Sequence, residues 1–479
     1  MEDDVSRRPG GSRLAQPVSA AGLRRVHFVG IGGAGMSGIA KIMLARGMAV
    51  SGSDSAPSAM LDELLALGAG VHVGHAATNL GSLGPDDTLV VSSAIRPDNA
   101  ELIEAQRRGM RVLHRAAALA AVMAGRRVIA VAGTHGKTTT TSMLTTVLRD
   151  CGAEPGYVIG GVLRETGLGA EDGAGLDFVA EADESDRSFL LLSPNAAVIT
   201  NVEADHLDNY RDLAEIEDTF TAFGQRVNGL VVICADDPGA ERVAGRLDPE
   251  RVRRYGESPR ADYRLGDIRP DGMSISLTVT ANHSPFGEIY SHVTLGVPGR
   301  HYALNATAAF AMAVELGFAP PRVTAALAGY RGARRRMELK GEAGGARVLD
   351  SYGHHPTEVA ADLRAAREIA AGGRVIAIFQ PHLYSRTRLF AGDFGIALGL
   401  ADEAIVLDVY AAREDPEPAV TGDLVASAVP GGARFVPTMD GALALITAMA
   451  EPGDVILTMG AGDVTKLGPR IVEALGGNP

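Results

Sequence analysis

A chain of 479 residues has room for about three domains of ordinary size and can bury its cores without disulfide or metal staples. It is 46% hydrophobic and 22% charged, with a formal charge of −13 and no dominant block of lysine and arginine, which fits a globular protein without a nucleic-acid surface. Cys151 and Cys234 are too few for a disulfide framework, no apolar run reaches the ~18 residues of a membrane span, and no apolar segment follows the first arginines, so a cytoplasmic protein working without a membrane is expected.

Residues 1–22 are rich in Gly, Pro, Ser and Arg and are expected to be a flexible tail. A strand over Val26–Val29 then runs into Gly30-Ile-Gly-Gly-Ala-Gly35 and a helix to about Arg46, followed by strands at Ala49–Ser53, Val71–Val73 and Thr88–Ser92. A second start, Arg127–Ala132, runs into Gly133-Thr-His-Gly-Lys-Thr-Thr139 and a helix to about Arg149, with further strands at Phe178–Ala182, Ala197–Thr200 and Leu230–Cys234. Residues 263–295 alternate apolar and polar, which predicts antiparallel β inserted in this central part. A third start at Val348–Asp350 leads to strands at Val375–Phe379, Glu403–Val409 and Val455–Met459. The fold class is therefore α/β in three domains: Rossmann-like over 23–124, a phosphate-loop ATPase type with an antiparallel insertion over 125–332, and Rossmann-like again over 333–479.

The first glycine cluster matches G-x-G-x-x-G, with Asp54 ending the next strand. Such a turn lets a diphosphate approach backbone amides at a helix N-terminus; it reads as an NAD site, a site for another nucleotide diphosphate, or a tight turn alone. The second cluster is more specific. Its amides can cradle phosphates, Lys137 can neutralise the outer ones and the Thr138 hydroxyl can reach Mg²⁺, although Val131 stands where the longer form of the loop begins with glycine. Two acidic clusters, Glu181-Ala-Asp183-Glu184-Ser-Asp186 and Asn201-Val-Glu203-Ala-Asp205-His206-Leu-Asp208, follow strands and supply hard oxygens and an imidazole for a metal, or solvated loops with capping roles. Asn305 reads as a helix cap or a base-reading amide, and Arg334-Arg335-Arg336 as a solvated run or a phosphate clamp. Asp350-Ser-Tyr352-Gly-His354-His355-Pro356 and Gln380-Pro-His382-Leu-Tyr384-Ser-Arg386 place imidazoles and a guanidinium at strand ends.

In this order the motifs resemble the Mur ligase family. The matching stretches are Gly30–Ala40, Ser92–Ile95 with Pro97–Asn99, Gly133–Thr141, Ala180–Phe189, Asn201–Tyr210, Asn305–Ala309, Tyr352–Val359, Phe379–Thr387, Tyr410–Pro416 and Gly460–Asp463. The resemblance, closest to its muramate-type members, implies an ATP- and Mg²⁺-dependent ligase that joins L-alanine to the carboxylate of UDP-N-acetylmuramate through an acyl phosphate, in peptidoglycan precursor synthesis. A monomer or homodimer is expected. It implies that Gly32, Gly33, Gly35, Met36, Ser37, Asp54, His75, Ser92 and Ser93 hold the UDP-sugar, that Tyr352 binds substrate, and that His382 and Arg386 form the amino-acid pocket. Gly133, Thr134, His135, Gly136, Lys137, Thr138 and Thr139 then bind ATP with Asn305, Arg335 and Asp350, while Thr138, Glu181 and His206 hold the metal. Lys137, Glu181, His206 and His354 form the implied catalytic set, His354 or His355 being the candidate base for the amine.

Three positions depart from the family pattern: Tyr302 for Asn, Ser351 for the second Asp of the Asp-Asp-Tyr motif, and Leu383 for a frequent Arg. No lysine lies between Val202 and Gly229, so the carbamylated lysine of sister ligases has no counterpart. The readings set beside this one are the family's recycling activity, which joins a tripeptide to the same UDP-sugar, an NAD-dependent oxidoreductase, and a non-catalytic homologue.

Overall fold

The computed structural model describes residues 19–476 apart from Asp208 and Arg413; residues 1–18 of the expected tail, and Asp208 of the second acidic cluster, lie outside the described residues. The chain forms two compact units, one running to Arg126 and including Leu191–Ser193, the other made of Arg127–Leu190 and the chain from Pro194 onward.

The first unit holds a five-stranded sheet of β1 (Val26–Val29), β2 (Val50–Asp54), β3 (Gly70–Val73), β4 (Thr88–Val91) and β5 (Arg111–His114) in the order β3-β2-β1-β4-β5, every pair parallel. The chain leaves β1 toward one edge and returns to fill the other. Such a reversal opens a crevice beside β1, at the carboxyl ends of the strands, where the glycine turn and Asp54 lie. β1 is buried along its whole length, as a short apolar run between helix layers should be.

In the second unit β6 (Arg127–Ala132), β7 (Gly156–Val158), β8 (Ala170–Glu171), β9 (Asp177–Glu181), β10 (Ala196–Ile199), β11 (Val231–Cys234), β12 (Val252–Gly256), β13 (Tyr263–Asp271), β14 (Ser274–Ala281) and β15 (Ile289–Leu295) share one sheet. Its order is β15-β14-β13-β12-β11-β10-β6-β9-β7-β8. The phosphate-loop strand β6 is central, paired in parallel with β10 and β9, so both acidic clusters emerge beside the loop. The antiparallel β predicted for 263–295 is present as β13–β15; it extends the edge of this sheet through a parallel β12–β13 pair.

The third sheet, in the same unit, contains β16 (Glu338–Ala343), β17 (Ala346–Ser351), β18 (Val375–Phe379), β19 (Glu403–Val406), β20 (Arg434–Phe435) and β21 (Val455–Met459), ordered β16-β17-β21-β18-β19-β20. All its pairs are parallel except β16–β17. The predicted strand over 403–409 stops at Val406; the Leu407 N–H makes one more bond to the neighbouring strand, at Phe379 O (2.9 Å), before the chain turns away.

Phe178 on β9 is fully buried, and its ring fills the space a side chain at Gly156 would take. Phe178→Ala should therefore leave a cavity under the phosphate-loop strand and cost about 3–5 kcal/mol of stability, read from the urea midpoint of the full chain.

Candidate active site

The loop after β6 is shaped by its glycines. Gly133 and Gly136 have φ of +138° and +80°, and a Cβ on Gly136 would lie 2.8 Å from Asn305 Oδ1, so the loop backbone sits directly on Asn305. The loop is tied to β10 and the chain after it: Thr200 Oγ1 donates to His135 O (2.5 Å), the His135 N–H donates to Asn201 Oδ1 (2.7 Å) and the Thr134 N–H to Asn201 O (3.1 Å). The helix Lys137–Asp150 begins at this point, aiming its amide dipole at the loop.

Lys137 Nζ donates to Gly133 O (2.6 Å), Thr134 O (3.0 Å) and Glu184 Oε1 (2.7 Å). Burial opposes its charge, but the carboxylates of Glu184, Asp183 and Glu181 overcome that and raise its pKa. Burial likewise raises Glu184, to about 7, with Lys137 pulling the other way. Thr138 Oγ1 donates to Glu181 Oε2 (3.0 Å), which also accepts the Gly160 N–H (2.8 Å). His206 lies near these groups at φ +53°, with Nε2 3.8 Å from Glu184 Oε1 and 3.5 Å from Asp205 Oδ2. Burial lowers its pKa despite Asp205, which favours the neutral ring and a lone pair free to coordinate. Thr138, Glu181 and His206 line one cavity of about 520 Å³ with Lys137, Arg335, Tyr352 and His354. Two hard oxygens and a neutral imidazole beside an amide-lined loop fit a divalent metal carried by a triphosphate.

A second cavity of about 240 Å³ lies across Gly136 and is lined by Thr139, Tyr302, Leu304 and Asn305 with His301, Asp237 and Tyr255. Tyr255, Tyr302 and Leu304 beside the buried Asn305 amide suit a base, while Glu203, Asp236, Asp237 and Glu358 bring charge to the same cavity. Tyr302 is buried beside His301, with ring centroids 4.5 Å apart, and thus forms part of this wall.

The third sheet contributes the far side. The guanidinium of Arg335 lies 4.8 Å from the centroid of the Tyr352 ring and donates to Gly460 O (2.5 Å). Asp350 is buried, accepts from Thr458 Oγ1 (2.8 Å) and Thr465 Oγ1 (2.7 Å), and stands 3.5 Å from Arg335 Nε; it orients the arginine rather than facing the cavity. Arg336, which the sequence reading did not single out, donates to Thr138 Oγ1 (3.3 Å). Ser351 Oγ donates to Asp362 Oδ2 (2.5 Å), where the family's aspartate would set one carboxylate against another. His354 is pushed down to about 3 by burial, so it is neutral at physiological pH and a weak base in this state. His382 stacks on Tyr410 with centroids 5.9 Å apart, and Leu383 caps the following helix at φ +70°. Arg386, expected at the amino-acid pocket, donates to both oxygens of Asp205 (3.0 and 3.3 Å) and holds that carboxyl well below its ordinary range against burial.

His135 links the second and third sheets, its Nε2 3.6 Å from Glu203 and its Nδ1 3.5 Å from Glu358. His135, Glu203 and His355 bring ligand-type atoms within 4.8 Å of one another. His355 Nδ1, however, accepts the Thr357 N–H (3.4 Å), which leaves the ring proton on Nε2, and a protonated His135 has no lone pair to offer. We read this cluster as an ionic clasp.

In the first unit, Gly30 and Ile31 donate their N–H groups to Ser53 O (2.8 and 2.9 Å), and the Gly32 N–H donates to Asp54 Oδ2 (2.9 Å). Asp54 Oδ1 accepts the Ser55 N–H (2.8 Å), so this carboxylate closes the turn instead of extending to a ribose, which counts against the NAD reading. Gly33 caps the helix Ala34–Ala45, and Met36 and Ser37 are buried in its first turns. A Cβ on Gly35 would lie 3.1 Å from Arg115 Nη1, which places a guanidinium over the turn that the sequence reading missed. Ser92 and Ser93 follow β4, and His75 follows β3, at the same strand ends.

Comparison with known proteins gives the family. Family models match in succession: the Mur ligase family catalytic domain over residues 25–127, the Mur ligase middle domain over 131–313, and the Mur ligase glutamate ligase domain over 335–462. The chain belongs to the Mur ligase family. It is 57% identical to the UDP-N-acetylmuramate–L-alanine ligase of Thermobifida fusca, covering 96% of this chain and 98% of that one. It is 50% identical to the same ligase of Streptomyces coelicolor, over 94% and 97% of the two chains. Among solved structures, a UDP-N-acetylmuramate–alanine ligase from Thermotoga maritima superposes with a TM-score of 0.79 at 30% identity, covering 94% of this chain and 98% of that one. A murein peptide ligase from Psychrobacter arcticus gives 0.70 at 26%, covering 95% and 99%.

Burial pulls His135 down, but Glu203 and Glu358 outweigh it and lift its pKa to about 9. A folded pKa above the ordinary ~6.5 stabilises the fold fully below ~6.5, and the contribution fades as pH rises through about 9. The stability gap between wild type and His135→Gln should accordingly shrink by up to about 3 kcal/mol between pH 6.5 and 9, as followed by denaturant titration.

Proposed function

We propose that this protein joins L-alanine to the carboxylate of UDP-N-acetylmuramate, with ATP as phosphoryl donor, in peptidoglycan precursor synthesis. The observation that carries the reading is the single cavity onto which Lys137, Thr138, Glu181 and His206 open, in a chain half or more identical to ligases of that name. The proposal assigns the UDP-sugar to residues 23–124, ATP to 125–332 and the amino acid to 333–479. It includes a cytoplasmic monomer or homodimer. Among the described residues no helix is long and apolar enough to cross a membrane, and both cysteines are free.

The chemical obstacle is that a carboxylate is a poor electrophile. Attack of a carboxylate oxygen on the γ-phosphorus releases ADP and gives an acyl phosphate; the neutral alanine amine then attacks the acyl carbon, an amide forms and phosphate leaves. The residues' task is to position two anions and neutralise their charge. Loop amides and the helix N-terminus cradle the phosphates, and Lys137 exchanges Glu184 for phosphate oxygens. Mg²⁺ on Thr138, Glu181 and His206 would supply further positive charge for the phosphoryl group. Arg335, held over Tyr352 by Asp350 and Gly460, presents a guanidinium to the same cavity. His354 orients its ring through Tyr352 O (3.1 Å), and its low pKa suits it to guide the amine more than to take its proton in this state.

The recycling reaction, with a tripeptide acceptor, is the second reading, favoured by the 0.70 superposition with a murein peptide ligase. Phosphate release with UDP-N-acetylmuramate should be driven by L-alanine and not by the tripeptide; the reverse order would replace the proposal with that reading. Lys137→Ala should lower phosphate release by at least about 10³-fold with calorimetric affinity for UDP unchanged, and wild-type turnover in that variant would sink the loop assignment. Chelating divalent ions should stop turnover, Mg²⁺ should restore it, and Glu181→Gln should raise the Mg²⁺ needed for half-maximal rate about tenfold.

A further inference from the structure

Glu101, in the first turn of the helix Ala100–Arg107, is completely buried in the first unit. Its Oε1 accepts from Asn79 Nδ2 (2.6 Å) and from the Ala76 N–H (3.2 Å), and its Oε2 accepts the Ser53 hydroxyl proton (2.7 Å) with His27 Nε2 3.4 Å away. Burial favours the neutral acid, yet these donors hold the pKa below the usual carboxylate value. An ionised carboxylate only accepts, so the single proton of Ser53 is committed to Glu101. The 2.9 Å contact between Ser53 Oγ and His75 Nδ1 must then be a His75 N–H donating to serine. In the neutral ring this leaves Nε2 carrying a lone pair. The His75 side chain is 28% exposed, just past β3 and in the same row of strand ends as Asp54 and the glycine turn.

We propose that Glu101, acting through Ser53, is a positioning residue that fixes His75 as a hydrogen-bond acceptor, so that His75 selects an N–H or O–H donor on the nucleotide part of the substrate. This rests on the assignment of the UDP-sugar to the first unit. The relay makes an unusual demand on the isosteric change Glu101→Gln. Two fixed donors, Asn79 and the Ala76 N–H, hold the amide oxygen on their side, so the amide NH₂ faces Ser53 and His27 Nε2; it donates to Ser53, and the His27 ring carries its proton on Nδ1, toward Ser51 Oγ (2.8 Å). Ser53 must then turn its own proton to His75 Nδ1, and the ring proton moves to Nε2. One buried atom, changed two hydrogen bonds away, converts the exposed imidazole from acceptor to donor.

The test is long-range ¹H–¹⁵N NMR of the histidine rings of the full chain at about pH 8.5, above ordinary imidazole titration, with His75→Gln identifying the signal. Wild type should show a protonated Nδ1 and a bare Nε2 on His75, and Glu101→Gln the reverse. Calorimetric UDP affinity should fall about tenfold in Glu101→Gln, while ATP affinity stays unchanged. If Glu101→Gln fails to fold, Ser53→Ala should give a mixture of ring tautomers and weaker UDP binding. A wild-type ring with its proton on Nε2, or a ring pattern unmoved by these changes, overturns the relay. Failure of wild type to bind UDP overturns instead the substrate assignment on which the selection rests.

Discussion

An ammonium buried among carboxylates governs the catalytic half of this molecule. Lys137 has Glu184 at 2.7 Å and is held protonated by Glu184, Asp183 and Glu181 in a chain whose formal charge is −13. Truncating one partner of such a buried pair typically costs about 3–5 kcal/mol, because the other charge is left without compensation. The loop glycines allow the backbone to fold around that ammonium, and β6, with β10 and β9 on either side, carries the acidic clusters to it. In the proposed reaction a polyanion entering the loop substitutes for Glu184 as the lysine's partner. The proposed site is thus assembled around a charge that would pass to phosphate.

The second and third sheets are joined by ionic and hydroxyl contacts, several made by residues that the family pattern associates with ligands. Arg386 reaches Asp205, Thr357 Oγ1 donates to Glu203 (2.8 Å), His135 faces Glu358 and Arg336 donates to Thr138. Polar links of this kind depend on ligand charge and pH. An apolar seam would not. This is a physical reason for a ligase to join two sheets through such contacts: what fills the cavities changes the balance that holds them.

The departures from the family pattern leave the site consistent. Ser351 gives Asp362 a hydroxyl donor in place of a second carboxylate, and burial still lifts Asp362 to about 7. Asp350 takes the orienting role toward Arg335. Tyr302 supplies an aromatic wall next to Asn305. Leu383 occupies a left-handed conformation that its side chain disfavours, stabilised by its N–H donating to Tyr410 O (3.0 Å). These arrangements weigh against a homologue that has lost its site.

By itself the sequence determined the α/β class, the central strands and the two glycine turns, because those features are local. Val26–Val29, Arg127–Ala132 and Val375–Phe379 are short apolar runs whose ends are marked by glycine or polar residues, and the observed strands have those same bounds. Edge strands such as Glu338–Ala343 and Arg434–Phe435 were not legible, since charged residues on a half-exposed edge carry no period of their own. Tertiary structure alone decided which charges meet. Arg386 with Asp205, Arg336 with Thr138 and Glu101 with Ser53 are 181, 198 and 48 residues apart. Pattern reading identifies groups capable of ionising or donating, but the partner that sets a charge or a tautomer is chosen by the packing of distant strands and helices.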